Sequence, residues 1–220
     1  MQIERGRLLT LAEAVAKAEP DFDGPKRNVA LATYRRLAEG SPVPVADIAQ
    51  QAGEGAEFVE SSLASWPGVF RNGTGDVVGF WGLTIDKLVP THAMEVRGHQ
   101  LYAWCAWDTL FLPGLLGAGA RVESACPVTH ETISLIVEPD RVVKTSHPNA
   151  AVSFLLSDRE FDADIIQSFC HFVHFFASRH DGEHWTAEHP GTFLLSLEEA
   201  FELGRLVNAL NFPALAEETR

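Results

Sequence analysis

The chain has 220 residues, 46% hydrophobic and 21% charged, which suits a globular protein with one large core or a core plus a small module. Against 17 Lys and Arg stand 30 Asp and Glu, a formal charge of −13. A field of that sign repels phosphate backbones and argues against nucleic acid as a partner. No apolar run reaches bilayer-spanning length, and Met1–Leu11 has no apolar stretch of the signal-peptide kind, so a cytoplasmic protein without membrane contact is expected.

In NVALATYRRLAEG, Val29, Leu31, Ala32 and Leu37 recur at helical spacing, and Gly40 closes the helix. SPVPVADIAQQAG predicts a turn and a short helix stopped by Gly53. GEGAEFVESSLASWPG predicts a third helix with Phe58, Val59 and Leu63 on one face. VFRNGT and GDVVGFWGLTI predict two strands joined by Asn72-Gly73-Thr74-Gly75. Helices followed by a hairpin make a winged helix-turn-helix pattern, here residues 1–83. Its third helix would face DNA, yet it carries Glu54, Glu57 and Glu60 and no Lys or Arg. Carboxylates facing phosphates repel, so the module is expected to be a lid or packing partner.

From residue 84 to 220 the pattern changes. HAMEVRGHQLYAW starts as a strand and leads into the dense apolar segment LYAWCAWDTLFLPGLL. RVESACPVT, HETISLIVEPDRVVKT and AAVSFLLS read as strands, and FDADIIQSFCHFVHFFAS as a short helix running into a strand. RHDGEHWTAEHP reads as a solvated loop, and GTFLLSLEEAFELGRLVNALN as a strand and an amphipathic helix. Strands and helices mix without regular alternation, which gives an α+β class: a winged-helix module packed on a mixed core.

Three cysteines, Cys105, Cys126 and Cys170, are too few and too scattered for a disulfide framework and are expected as free thiols. On a helix, Cys105 and Asp108 would share a face. Burying Asp108 among Leu101, Trp104, Trp107 and Phe111 would raise its pKa and let it exchange a proton near neutrality. The pattern fits equally an amphipathic helix with Asp108 in water. Cys170 also sits in an apolar, aromatic run, whereas Cys126, before a proline at a strand end, reads as structural. The pairs His171/His174 and His180/His184 have metal-ligand spacing, but no zinc-knuckle cysteine lies nearby and HEXXH is absent. Surface and strand histidines account for them, with His189 in the same polar stretch as His180 and His184.

The segments LYAWCAWDTLFLPGLLGAGARVESACPVT and QSFCHFVHFFAS together resemble the bacterial alkylmercury (organomercurial) lyase family. The winged-helix front, the GFWGLTI strand, the SLEEAFELGRLVN tail and the length extend the likeness over nearly the whole chain. The resemblance implies Cys105 and Cys170 as catalytic cysteines, Asp108 as the catalytic acid, and Cys126 as a structural cysteine. Family members often carry a second cysteine directly after the one matched by Cys170; here His171 stands there.

The implied activity is cleavage of a carbon–mercury bond by protonolysis, giving Hg(II) and a hydrocarbon. Two soft thiolates donate into soft mercury while an acid protonates carbon. Mercury, held by Cys105, Cys170 and Asp108, is then substrate and product. No cofactor is expected, and external cellular thiols release the product, with a mercuric reductase as candidate recipient. Competing expectations are a metal- or thiol-responsive winged-helix regulator without enzymatic activity, and a mercury-binding relative without turnover.

Overall fold

The computed structural model describes residues 5–155 and 164–218, with side chains to residue 215. The chain opens with a helix the sequence reading did not anticipate, α1 (Arg5–Ala18), whose Leu8, Ala12, Val15 and Ala18 form a buried stripe at helical spacing. The expected helices follow as α2 (Pro25–Leu37), α3 (Val45–Ala52) and α4 (Ala56–Ser65). Pro25 starts α2, where its missing N–H costs nothing. Gly53 ends α3 at φ 71°, in the left-handed region that glycine enters without strain. On α4, Val59 and Leu63 are buried as expected, but Phe58 points outward and is exposed.

The hairpin forms as β1 (Val69–Arg71) and β2 (Val77–Phe80), antiparallel with a bulge between Phe70 and Arg71. Asn72 organises its turn, its side chain accepting from the Thr74 and Asp76 backbone N–H groups at 3.0 and 2.9 Å. A two-residue bridge between Val43 and Val77 ties this wing to the helices. The segment GDVVGFWGLTI, expected as one strand, breaks at Trp81-Gly82. Gly82 lies at φ 90° and the chain reverses into β3 (Leu83–Thr84), which pairs back on β2.

β3 also pairs with β5 (His99–Ala103), whose hairpin partner is β4 (His92–Val96); Arg97-Gly98 makes the turn, both at positive φ. The sheet therefore runs unbroken across the expected boundary at residue 83. After α5 (Asp108–Leu116) it continues with β6 (Ala120–Ala125), β7 (Thr132–Glu138) and β8 (Arg141–Thr145). Among the described residues this is an eight-stranded sheet in the order β1-β2-β3-β5-β4-β6-β7-β8. β6 and β7 alternate buried and more exposed residues, so one face meets the helices.

A smaller sheet has β9 (Ala151–Leu155) between β10 (Phe175–Phe176) and β11 (Thr192–Ser196). The short helix expected before Cys170 is α6 (Ile165–Ser168), followed by a 3₁₀ turn; the start of that expected helix at 161–163, and Leu156 and Ser157 of the expected AAVSFLLS strand, lie outside the described residues. RHDGEHWTAEHP is not a loop but α7 (Arg179–Glu188), started by Ser178, whose hydroxyl accepts the Asp181 N–H. The chain closes with α8 (Leu197–Asn211) and α9 (Pro213–Glu218), and α8 packs on α1 and α5. The class is α+β as expected, with the helix-turn-helix module leading a mixed core.

α8 has a reciprocal cap: Ser196 accepts the Glu199 N–H at 3.2 Å while the Glu199 carboxylate accepts the Ser196 N–H at 2.7 Å. Ser196→Ala should cost about 1 kcal/mol and lower Tm by roughly 2–4 °C, as read by thermal melting.

Candidate active site

Three segments, far apart in the sequence, build one buried cluster. The first follows β5. Trp104 donates its N–H to the Gly82 carbonyl at 2.9 Å, and Ala106 donates to the Val173 carbonyl at 3.1 Å. These bonds hold Cys105 between the wing and the second sheet. Cys105 is not on a helix, as the i, i+3 argument assumed; residues 104–107 bend and turn, and α5 begins at Asp108. The two are nevertheless neighbours, because the Asp108 carboxylate reaches back and accepts the Cys105 N–H at 2.8 Å. That position also places the carboxylate at a helix N-terminus, where the backbone dipoles favour negative charge.

The second segment carries Cys170 on the 3₁₀ turn after α6. Ser153 of β9 fixes that turn: its hydroxyl donates to the Phe172 carbonyl at 2.8 Å and accepts the His174 N–H at 2.9 Å. The third segment is the Trp81-Gly82 turn. Tyr34 of α2 donates to the Trp81 carbonyl at 2.8 Å, and the Trp81 indole N–H donates to the Pro67 carbonyl at 2.6 Å.

The result is that one ligand atom each from Cys105, Asp108 and Cys170 lie within 4.8 Å of one another, all buried. This is the one group of three or more potential metal ligands among the described residues. Asp108 does not point to water. Burial pushes its carboxyl up to about 7, against hydrogen bonds from the Cys105 thiol and backbone that favour the anion. Burial likewise pushes the Cys105 thiol well above the usual range, helped by its hydrogen bond with Cys170 and by the Asp108 charge. The Cys105 hydrogen bond favours the Cys170 thiolate, but burial and Asp108 outweigh it and the net direction is upward.

The other sequence candidates stay outside. Cys126 is buried but closes a turn with its own backbone, bonding Glu131 and His130 at 2.9 Å each. His171 is exposed, and its carbonyl bonds the His174 ring nitrogen at 2.8 Å. His180 and His184 face each other on α7, with ring centroids 5.4 Å apart.

Sequence reading missed two titratable neighbours. Glu19 and Tyr34 line the same internal cavity as Asp108 and Cys170, a space of about 20 Å³. Burial, followed by the Asp108 charge, pushes Glu19 up to about 8. Burial also raises Tyr34, followed by Glu19 and then Asp108. Neither stands in a recognisable motif; only the fold brings α1 and α2 to the cluster. Gly82 did carry a signal, as a glycine inside an apolar run.

Two soft thiols and a carboxyl that can hold a proton near neutrality define a site for capturing a soft metal and delivering a proton. Comparison with known proteins agrees with that chemistry. Residues 89–208 match the alkylmercury lyase family, and residues 10–81 match the helix-turn-helix domain of alkylmercury lyase. An alkylmercury lyase of Staphylococcus epidermidis is 46% identical over 176 residues, 80% of this chain and 79% of the relative. One from Pseudomonas putida is 39% identical over 173 residues, 79% of each chain. A crystal structure of the mercury-bound form of MerB2 superposes with a TM-score of 0.70 at 25% identity, covering 94% of this chain and all of the other. The chain belongs to the alkylmercury lyase family; it is a lyase and not a winged-helix regulator. No helix among the described residues is long and apolar enough to cross a membrane.

Two outcomes follow from this geometry. A Cβ at Gly82 would stand 2.8 Å from Asp108 Cγ and Oδ1, at a φ of +90°. Gly82→Ala should therefore cost roughly 1–3 kcal/mol in strain and depress turnover by displacing the carboxyl, checked by melting and an activity assay on the same preparation. The second concerns pH. Between about pH 4 and about pH 7 the folded protein keeps a proton on Asp108 that the unfolded chain has released, so this group's contribution to stability falls as pH rises through that window. Urea titrations at about pH 5 and about pH 8 should show Asp108→Asn losing less stability than wild type, by up to about 3 kcal/mol.

Proposed function

We propose that Cys105, Cys170 and Asp108 cleave the carbon–mercury bond of alkyl- and arylmercury compounds. The observation that carries this reading is the convergence of two thiols and a carboxyl within 4.8 Å in an apolar interior. Thiolates are soft ligands for a soft metal, and a linear two-thiolate mercury complex needs no third ligand of fixed geometry.

The steps balance as follows. Ionised Asp108 takes the proton of one cysteine, and that sulfur bonds RHg⁺. The second cysteine bonds mercury and gives up its proton. The carbon–mercury bond breaks with its electron pair on carbon, and carbon takes a proton from Asp108, releasing RH. Hg(II) remains between the two sulfurs, and the second cysteine's proton is left on Asp108. A carboxyl held near neutrality suits both halves of this relay, because it is neither too weak a base to accept nor too weak an acid to donate. Trp81, Trp104, Trp107, Phe111 and Phe169 give the site walls that accept alkyl and aryl groups. At about 20 Å³ the cavity must widen to admit them. Free thiols fit a reducing cytoplasm, where low-molecular-weight thiols would strip Hg(II) from the site and pass it on, a mercuric reductase being the candidate recipient.

Cys105→Ser and Cys170→Ser should each reduce benzene release from phenylmercury, in excess thiol, to background. Normal turnover in either would end the two-thiol reading. Asp108→Ala should lower single-turnover benzene release by about a hundredfold or more while still capturing Hg(II), followed by thiolate–mercury absorbance.

A further inference from the structure

The reaction proposed above leaves one proton per turnover inside a closed apolar site, and the acid must be ionised again before the next substrate arrives. That proton needs a way out. The internal cavity holds Asp108 and Cys170 and, at about 20 Å³, has room for one water molecule. Two outer clefts share walls with it. One, of about 390 Å³, meets it at Phe111, Leu115, Asn208 and Phe212. The other, of about 490 Å³, meets it at Glu19 and Phe22. Of these six residues, only Glu19 has an ionisable side chain.

The geometry points to Glu19 as the port through which the buried site exchanges protons with solvent. This rests on the three-residue chemistry proposed above. Glu19 follows α1 directly, its N–H donating to the Val15 carbonyl at 3.1 Å. Its carboxylate accepts a hydrogen bond from the Asn211 amide at the end of α8. Asn211 is itself held, its carbonyl accepting from Arg27 Nε at 2.7 Å. The carboxyl is thereby fixed at the seam between α1 and α8, with the inner cavity on one side and the polar cleft on the other.

Every titratable group around it can be placed. Tyr34 of α2, Asp108 of α5 and Cys170 line the inner side. Lys17, Asp21, Asp23 and Arg27 line the outer side. Burial raises both carboxyls, with the Asp108 charge adding to the rise at Glu19, so two groups of the same kind, both raised toward neutrality, face the cavity and can exchange a proton in either direction. In the exit step the Asp108 O–H bond breaks, a bridging water relays the proton, and the Glu19 O–H bond forms; Glu19 then releases it to the outer cleft. No redox partner is involved. When incoming thiolates remove Hg(II), the same path runs inward and reprotonates Cys105 and Cys170. As a positioning and relay residue, Glu19 acts through Asp108 and need not touch mercury.

The test is steady-state benzene release from phenylmercury, with excess glutathione, by the full chain across the neutral pH range. Glu19→Gln keeps the shape and an acceptor for Asn211 but cannot carry the proton. It should lose about tenfold or more in turnover and flatten the pH profile, with Hg(II) capture by the thiols unchanged. Glu19→Asp should recover part of the loss, and added formate should restore Glu19→Ala. Wild-type turnover in Glu19→Gln at every pH overturns the port. So does an equal loss in Glu19→Gln and Glu19→Asp with no response of Glu19→Ala to formate, which would mark a packing role. Cys105→Ser run in parallel separates the two levels: activity there sinks the underlying chemistry, whereas a silent Cys105→Ser beside a normal Glu19→Gln sinks the port alone.

Discussion

The site depends on a carboxyl kept inside an apolar core by neutral donors. Asp108 accepts the backbone N–H and the thiol of Cys105, and sits at the first turn of α5. Hydrogen bonds of this kind offset part of the cost of burying a charge, and burial still wins, which is why the group rests near 7. An arginine or lysine partner would have lowered that value by stabilising the anion, and a carboxyl so held donates poorly. The same bond that tunes the acid also fixes the distance between the acid and the first sulfur. Tuning and placement are one feature, and they come from the bend and turn at residues 104–107 ahead of a helix.

The winged module is part of the site. β3 is shared between the wing and the core sheet, and the Trp81-Gly82 turn leading into it forms a wall of the cavity. The Gly82 carbonyl receives the Trp104 N–H one residue before Cys105, so the wing holds the Cys105 segment directly. The helix that reads DNA in such modules is α4, and here its Glu60 is paired with Arg71 of the hairpin at 3.1 Å. One of the few cations of the wing is thus spent on a carboxylate of the same module. What remains on α4 does not suit a phosphate backbone.

Much of this was legible in the sequence, for identifiable reasons. The helices α2 and α3 announce themselves by apolar spacing and by glycine at their ends, and the hairpin by Asn72-Gly73. Asp108 beside Cys105 was legible as a neighbour at short range, although the reason was a bend and a side chain reaching back, not a helix face. Cys170 was placed by resemblance, since nothing in the 64 residues between it and Cys105 tells where it folds. Other errors have physical causes. Trp81-Gly82 was read through as strand because both flanks are apolar, and the reversal lies in the positive φ of both residues. RHDGEHWTAEHP is polar all round, so α7 shows no apolar stripe, yet Ser178 starts it with a side-chain cap. Glu19 and Tyr34 carry no local pattern, because their role exists only where α1 and α2 fold over the cavity.

The chemistry also fits the dielectric. In the proposed relay the site awaits substrate with two neutral thiols, both above their ordinary pKa, and one ionised carboxyl, so it holds a single negative charge. Replacing S–H by S–Hg–R exchanges one cation for another at sulfur and leaves the metal complex neutral. The final S–Hg–S unit is neutral as well. In the proposed relay, charge therefore never accumulates on mercury within the low-dielectric interior; it moves as protons, with the carboxyl as their carrier. A bare thiolate pair would be costly to bury, and a neutral thiol pair would bind mercury slowly. A carboxyl that takes each proton as each sulfur–mercury bond forms avoids both states, which explains why the acid must stand within bonding reach of the sulfurs rather than merely somewhere in the pocket.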